Sequence, residues 1–149
     1  MKTINFYKTK EEYGCFSNFS RHPVKYKNIV WPTSEHAYQA QKFAGTPRET
    51  EILNAKTPRE AAELGRDRSK PLREDWEFVK DDIMREIVFC KFYEHKDLQN
   101  ILLSTEDAEI VEHTINDSYW GDGGDGSGKN MLGKILMETR DLLKVEIKS

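Results

Sequence analysis

The chain has 149 residues, 37% of them hydrophobic and 33% charged, with a formal net charge of −3 at pH 7. That length suits one domain with a genuine core, and the mild negative charge argues against sequence-independent binding of nucleic acid, although a local basic patch could still meet a phosphate. No apolar run is long enough to cross a bilayer and the charged start MKTINFYKTKEE lacks the apolar region of a signal peptide, so a cytoplasmic protein with no membrane partner is expected.

The first third mixes short extended pieces with turns. INFYK and VKYKNIVW have the β-branched and aromatic content of strands, and Lys27-Asn28 turns between VKY and IVW, which predicts a small sheet. From Pro32 onward the pattern is mostly helical. TSEHAYQAQKFAG starts with a capping Thr33 or Ser34 and stops at Gly45. TPRE then occurs twice, from Thr46 and from Thr57, each copy placing threonine, proline and glutamate as a capping box does. Trp76, Val79, Ile83, Ile87 and Cys90 recur at helical spacing and predict a long helix from about Glu74 to Glu94. Short helices are expected around LQNILLS and EDAEIVE. A final helix is expected from Asn130 or Met131 to Leu143, with Leu132, Ile135, Leu136, Leu142 and Leu143 on its core-facing stripe. The class is α+β: a compact, helix-rich single domain over residues 1–149 with a small β-sheet.

Two cysteines, Cys15 and Cys90, lie far apart, as in a chain with reduced thiols. His22, His36, His95 and His113 show neither H-x-x-x-H nor C-x-x-C pairing, so spacing indicates no metal site. Six of the nine glycines fall between Gly121 and Gly133. They satisfy G-x-G-x-x-G from Gly121 and G-x-x-x-x-G-K from Gly123, but the preceding TINDSYW is polar and too little chain follows for a second βα unit, so neither nucleotide fold is supported. Asp122 and Asp125 lack the further carboxylates of a calcium loop. Glycines still let main chain approach a ligand closely, and Asp117, Tyr119, Trp120 and Asn130 gather at the loop's two ends, an arrangement able to cradle a phosphorylated sugar.

Glu35, Gln39 and Lys42 stand at i, i+4 and i+7, so an acid, an amide and an amine share one helix face near Trp31, Tyr38 and Phe43. Such a row is either a solvated face that complements the helix dipole or a catalytic set whose apolar surroundings tune its pKa values. Trp76 is a core residue by type, or a plate on which a flat base stacks. The stretch RDRSKPLR from Arg66 to Arg73 is either a solvated surface or a phosphate clamp.

SNF at Ser17 to Phe19, WPTSEHAYQAQKF from Trp31, REDW ending at Trp76, and NDSYWG followed by GxNMLG ending at Gly133 together resemble the NADAR family, in order and over nearly the whole chain. The riboflavin-biosynthesis-intermediate N-glycosidases belong to that family. The resemblance implies a compact, helix-rich α+β domain and hydrolysis of N-glycosidic bonds on ribosides. Members act on ribosylamino-pyrimidine phosphates of riboflavin synthesis or remove ADP-ribose from guanine in DNA, so the implied partner is a small nucleotide-like molecule or an ADP-ribosylated DNA base. By the same resemblance the catalytic set falls on Glu35, Lys42, Trp76 and Asp117, with Asp122 an alternative to Asp117. Trp76 or Trp120 would stack on the base. Arg66, Asn130 and the loop amides from Gly121 to Gly133 would hold phosphate and ribose, and Asn18 and Gln39 would read hydroxyls or base edges.

Departure of the base builds positive charge on the ribose, which Glu35 or Asp117 would stabilise. C1 would then be captured by water activated by Glu35, or by Lys42 as an imine on the opened sugar. Water is the only other reactant, so no metal or organic cofactor is expected. The alternative class is a non-catalytic module that binds ADP-ribose or a related nucleotide, which would need the aromatic plate and the glycine loop but not Glu35 and Lys42 together.

Overall fold

The computed structural model describes residues 2–148. The chain divides into two units, one of Met1–Ser17 with Phe92–Ser149 and the other of Asn18–Lys91.

In the second unit, β2 (Val24–Tyr26) and β3 (Ile29–Trp31) form an antiparallel hairpin, Val24 opposite Trp31 and Tyr26 opposite Ile29. Lys27 and Asn28 adopt φ of 52° and 66°, the left-handed pair that a two-residue hairpin turn requires. Four helices follow: α1 (Ser34–Gln41), α2 (Pro47–Leu53), α3 (Pro58–Arg66) and α4 (Trp76–Glu94), whose last turn runs past the boundary at Lys91. Thr33 caps α1 by accepting from the His36 amide at 3.1 Å. The two TPRE copies both start helices with proline in the first turn. They differ in the cap: Thr57 accepts from the Glu60 amide at 3.0 Å, whereas the Thr46 hydroxyl donates backward to Phe43 O at 2.7 Å.

Helix α1 packs against α2, α3 and the hairpin, so all eight of its residues are buried, polar ones included. Charged and amide side chains rarely sit in such a position without partners. His36 is fully buried and satisfied at both ring nitrogens, by Thr33 Oγ1 at 2.7 Å and Ala55 O at 3.0 Å. Burial holds its pKa below the usual histidine value.

The first unit pairs β1 (Thr3–Phe6) in parallel with β4 (Glu109–Glu112), Thr3 opposite Glu109 and Phe6 opposite Glu112. Ile4, Phe6 and Ile110 face a core completed by Leu98 and Leu102 of α5 (Lys96–Leu103) and by Leu132, Ile135, Leu136 and Leu143 of α6 (Met131–Lys148). Phe16 meets Phe6 and Phe92 edge-on, with centroids 5.8 and 5.9 Å apart.

The expected small sheet is thus two separate two-stranded pairs. The helix expected over EDAEIVE is the strand β4 instead: Ile110 and Val111 are β-branched, and their partner β1 lies at the other end of the chain, where a local period cannot register it. Leu142 leaves the expected core stripe and is 55% exposed, because Leu143 takes the buried position beside it.

Candidate active site

The α1 row is held from outside the helix by Asn18, which precedes the hairpin. Its carbonyl accepts from the Glu35 amide at 3.1 Å, and its side-chain oxygen accepts from Ser34 Oγ at 2.9 Å. Asn18 Nδ2 points to Met84 Sδ at 3.5 Å. Asn18 therefore fixes the first turn of the helix that carries Glu35, one turn below Gln39. Gln39 Nε2 donates to Glu35 Oε2 at 2.7 Å, and both residues are buried. Gln39 Oε1 is buried with no hydrogen-bond partner.

Lys42 is 8% exposed. Its amine lies 5.8 Å from the centroid of Tyr38 and 6.0 Å from that of Trp76, and makes a long 3.5 Å contact to Gly65 O. Tyr38 and Trp76 themselves pack obliquely at 5.2 Å, and Trp76 is only 4% exposed. The pKa of Lys42 is pulled down to about 8, mainly by burial and then by the positive charge of Arg68, with Glu35 opposing and Arg66 and Lys80 adding to the depression. Lysine so placed exchanges its proton near neutral pH and supplies a neutral amine there. Arg66 closes α3 with an exposed side chain, and the neighbouring Arg68 donates to Gly65 O at 2.9 Å. RDRSKPLR thus supplies cations to the surroundings of Lys42, as a phosphate clamp would require.

The unit therefore brings Asn18, Glu35, Gln39, Lys42, Trp76 and Arg66 into one neighbourhood. Arg68 comes from the RDRSKPLR stretch, whereas Gly65 is a member that the sequence did not single out. The available signal was a glycine within the last turn of a helix, before rather than after its final residue.

Asp117, Trp120, Gly121, Asn130 and Gly133 belong to the other unit, the first four in the loop and Gly133 in the first turn of α6. Asp117 Oδ1 accepts from the amides of Tyr119 and Trp120 at 2.9 and 2.8 Å. Trp120 is half-buried and meets Tyr119 edge-on at 4.9 Å. Asn130 braces β4: its oxygen accepts from Glu112 N and its amide donates to Ile110 O, both at 2.9 Å. A Cβ at Gly133 would lie 2.1 Å from Ile110 O, and one at Gly121 would lie 2.8 Å from Glu112 O, so both are glycines for close backbone approach. Asp122 accepts from Thr114 N at 3.0 Å, from Gly124 N at 2.9 Å and from His113 Nδ1 at 2.8 Å. Burial pushes its carboxyl pKa up, but these hydrogen bonds outweigh burial and hold it below the ordinary value.

Fold and site together define a helix-rich α+β protein with a buried acid–amide–amine row. The NADAR domain model matches residues 5–144, and the chain belongs to the NADAR family. It is similar to the N-glycosidase YbiA of Escherichia coli K12, at 53% identity over 143 residues, covering 96% of this chain and 89% of that protein. An N-glycosidase of Nostoc punctiforme is 47% identical, covering 95% and 93%. The chloroplastic riboflavin biosynthesis protein PYRR of maize is 43% identical over 92% of this chain but only 24% of its own length. The NMR structure of E. coli YbiA superposes with a TM-score of 0.92 at 51% identity, covering 99% of this chain and 88% of that one. The expected class, a hydrolase of N-glycosyl bonds, agrees with these relatives. Among the described residues no helix is long and apolar enough to cross a membrane.

Proposed function

We propose that this hydrolase of N-glycosyl bonds cleaves the bond between C1 of a phosphorylated ribose and an amine of a flat base, and that Glu35 and Lys42 carry the reaction. The observation behind the assignment is the buried row itself: Glu35 held by Gln39 at 2.7 Å, and Lys42 at about 8 beside Tyr38 and Trp76. Carboxylate charge in such a water-poor place stabilises the oxocarbenium-like ribose that forms as the base departs. Lys42, neutral in useful proportion near pH 8, attacks C1 of that ion; the bond from C1 to the ring oxygen then breaks, the amine proton passes to the departing oxygen, and the opened sugar is held as an imine. One water adds to C1 of the imine, releasing the sugar as an aldehyde and freeing the amine. Arg66 and Arg68 supply positive charge for the phosphate, and Trp76 beside Lys42 offers a surface for the base.

Among substrates, ribosylamino-pyrimidine phosphates of riboflavin synthesis are favoured, because a maize relative bears a riboflavin-biosynthesis name over nearly the whole of this chain's length. ADP-ribosylated guanine shares the ribose C1–amine linkage and is the second substrate to test. The protein is incubated with a ribosylamino-pyrimidine phosphate and, separately, with an oligonucleotide bearing ADP-ribosyl-guanine, and base release is followed by mass spectrometry with Glu35→Gln as control. Cleavage of the pyrimidine substrate, lost in the variant, is the expected result. Cleavage of the DNA substrate alone moves the role to reversal of ADP-ribosylation, and intact substrates in both arms sink the proposal.

A further inference from the structure

Gly65 lies one residue before the end of α3, where glycine is an unfavourable helix residue. Its φ is not among the positive ones, so backbone conformation does not demand glycine there. Space does. A Cβ at this position would stand 2.0 Å from Gln39 Oε1, 2.6 Å from its Cδ and 3.1 Å from its Cβ. Those distances run from the tip of the glutamine to its root, so swinging the terminal amide alone cannot relieve them.

The contact explains an oddity of Gln39. Its Nε2 serves Glu35, and its Oε1 faces the Gly65 backbone, buried without a hydrogen-bond donor. A buried acceptor left unpaired is costly, and at most a weak C–H contact compensates it. The arrangement makes sense if its purpose is to hold the Glu35 carboxylate. Gly65 acts a second time through its carbonyl oxygen, which accepts from Lys42 Nζ at 3.5 Å and from Arg68 Nη1 at 2.9 Å. The acid, the amine and a cation felt by that amine are thus referred to one residue of α3.

We propose that Gly65 is a positioning residue for N-glycoside hydrolysis: its missing side chain seats the Gln39 amide against Glu35, while its carbonyl oxygen anchors Lys42 and Arg68. This inference rests on the reading that Glu35 and Lys42 carry the reaction. It differs from a role in helix packing alone, which would lower stability but leave kcat and the environment of the Glu35 carboxyl group in the folded enzyme unchanged.

The test is a double-mutant cycle of Gly65→Ala and Gln39→Ala, read by kcat, KM and the 13C resonance of the Glu35 carboxyl group. Gly65→Ala should lower kcat by about a hundredfold with little change in KM, as expected for a displaced catalytic group, and should move the Glu35 resonance. In the Gln39→Ala background the same substitution should change neither, because the side chain it displaces is gone and only a shift of a few tenths of an ångström is needed at Cβ. Equal losses in both backgrounds, or a fully active Gly65→Ala enzyme with an unmoved resonance, overturn the proposal. Should Gly65→Ala alone fail to fold, Gln39→Ala by itself decides: a lowered kcat with a moved Glu35 resonance supports the proposal, and full activity with an unmoved resonance overturns it. The resonance needs no turnover, so it separates this idea from its premise: if Glu35→Gln retains activity, the catalytic reading falls while the cycle still reports whether Gly65 sets the carboxylate.

Discussion

The α1 row and the glycine loop are the two polar concentrations of this chain, and they use their side chains differently. On α1 the main chain is satisfied by the helix, so Glu35, Gln39 and Lys42 keep their functional groups for one another and for chemistry. In the loop some amides pair with main-chain carbonyls, as Asp122 N does with Glu112 O and Asn130 N with Gly121 O, and others need side chains. Asp117, Asp122 and Asn130 spend their oxygens on the amides of Tyr119, Trp120, Thr114, Gly124 and Glu112. Buried backbone groups must be paired, and where secondary structure does not pair them side chains do. Residue types that look alike in sequence therefore divide into a set that contacts itself, proposed above to react, and a set that accepts from main-chain amides.

That contrast breaks most sharply on Glu35. Glu35→Gln removes the charge and keeps the shape, so kcat should fall by about 10²- to 10⁴-fold while the melting curve stays near that of the parent. Normal turnover would return the row to a structural role. Lys42→Met should abolish turnover and the trapping of sugar on the protein by borohydride, seen as loss of the mass adduct. In the parent enzyme the rate should rise with pH and level off above about 8, because the amine must lose its proton to attack. A flat profile through that region, or full activity of Lys42→Met, eliminates the imine.

The loop should respond in stability. Asp122→Ala leaves the Thr114 and Gly124 amides without their acceptor and should cost about 2 kcal/mol of unfolding free energy, measured by denaturant titration. The pH dependence has a definite sign. Because the folded carboxyl is the weaker proton acceptor, the unfolded chain takes up the proton first as pH falls. The contribution of Asp122 is complete above the ordinary aspartate range and fades as pH drops through and below it, so the parent should lose more stability on acidification than Asp122→Asn does. The smallest effect is expected at Asp117→Asn, which retains the oxygen that accepts from Tyr119 and Trp120. Activity within about threefold of the parent, a change of well under 1 kcal/mol, marks a brace. A loss comparable to that of Glu35→Gln would instead make Asp117 a reacting carboxylate.

Much of the fold was legible because its signals are local. The Lys27-Asn28 turn, the Thr33 cap, the prolines opening α2 and α3, and the periodic stripe of α4 each rest on residues within a turn or two of one another. The strand β4 carries no such local signal, because its hydrogen-bond partner is more than a hundred residues away. Within the site, spacing alone put Glu35, Gln39 and Lys42 on one face, since the period of a helix depends only on the backbone. Whether that face meets water or protein depends on α2, α3 and the hairpin packing around it, and these turned a row that could have been solvated into a buried one with a lysine near 8. Gly65 was hidden for the same reason: the space it leaves belongs to Gln39, 26 positions earlier in the chain, and only the packing of α3 on α1 brings the two into contact. Backbone periodicity and capping chemistry are written in neighbouring residues, whereas desolvation and steric room are properties of whatever the fold brings alongside.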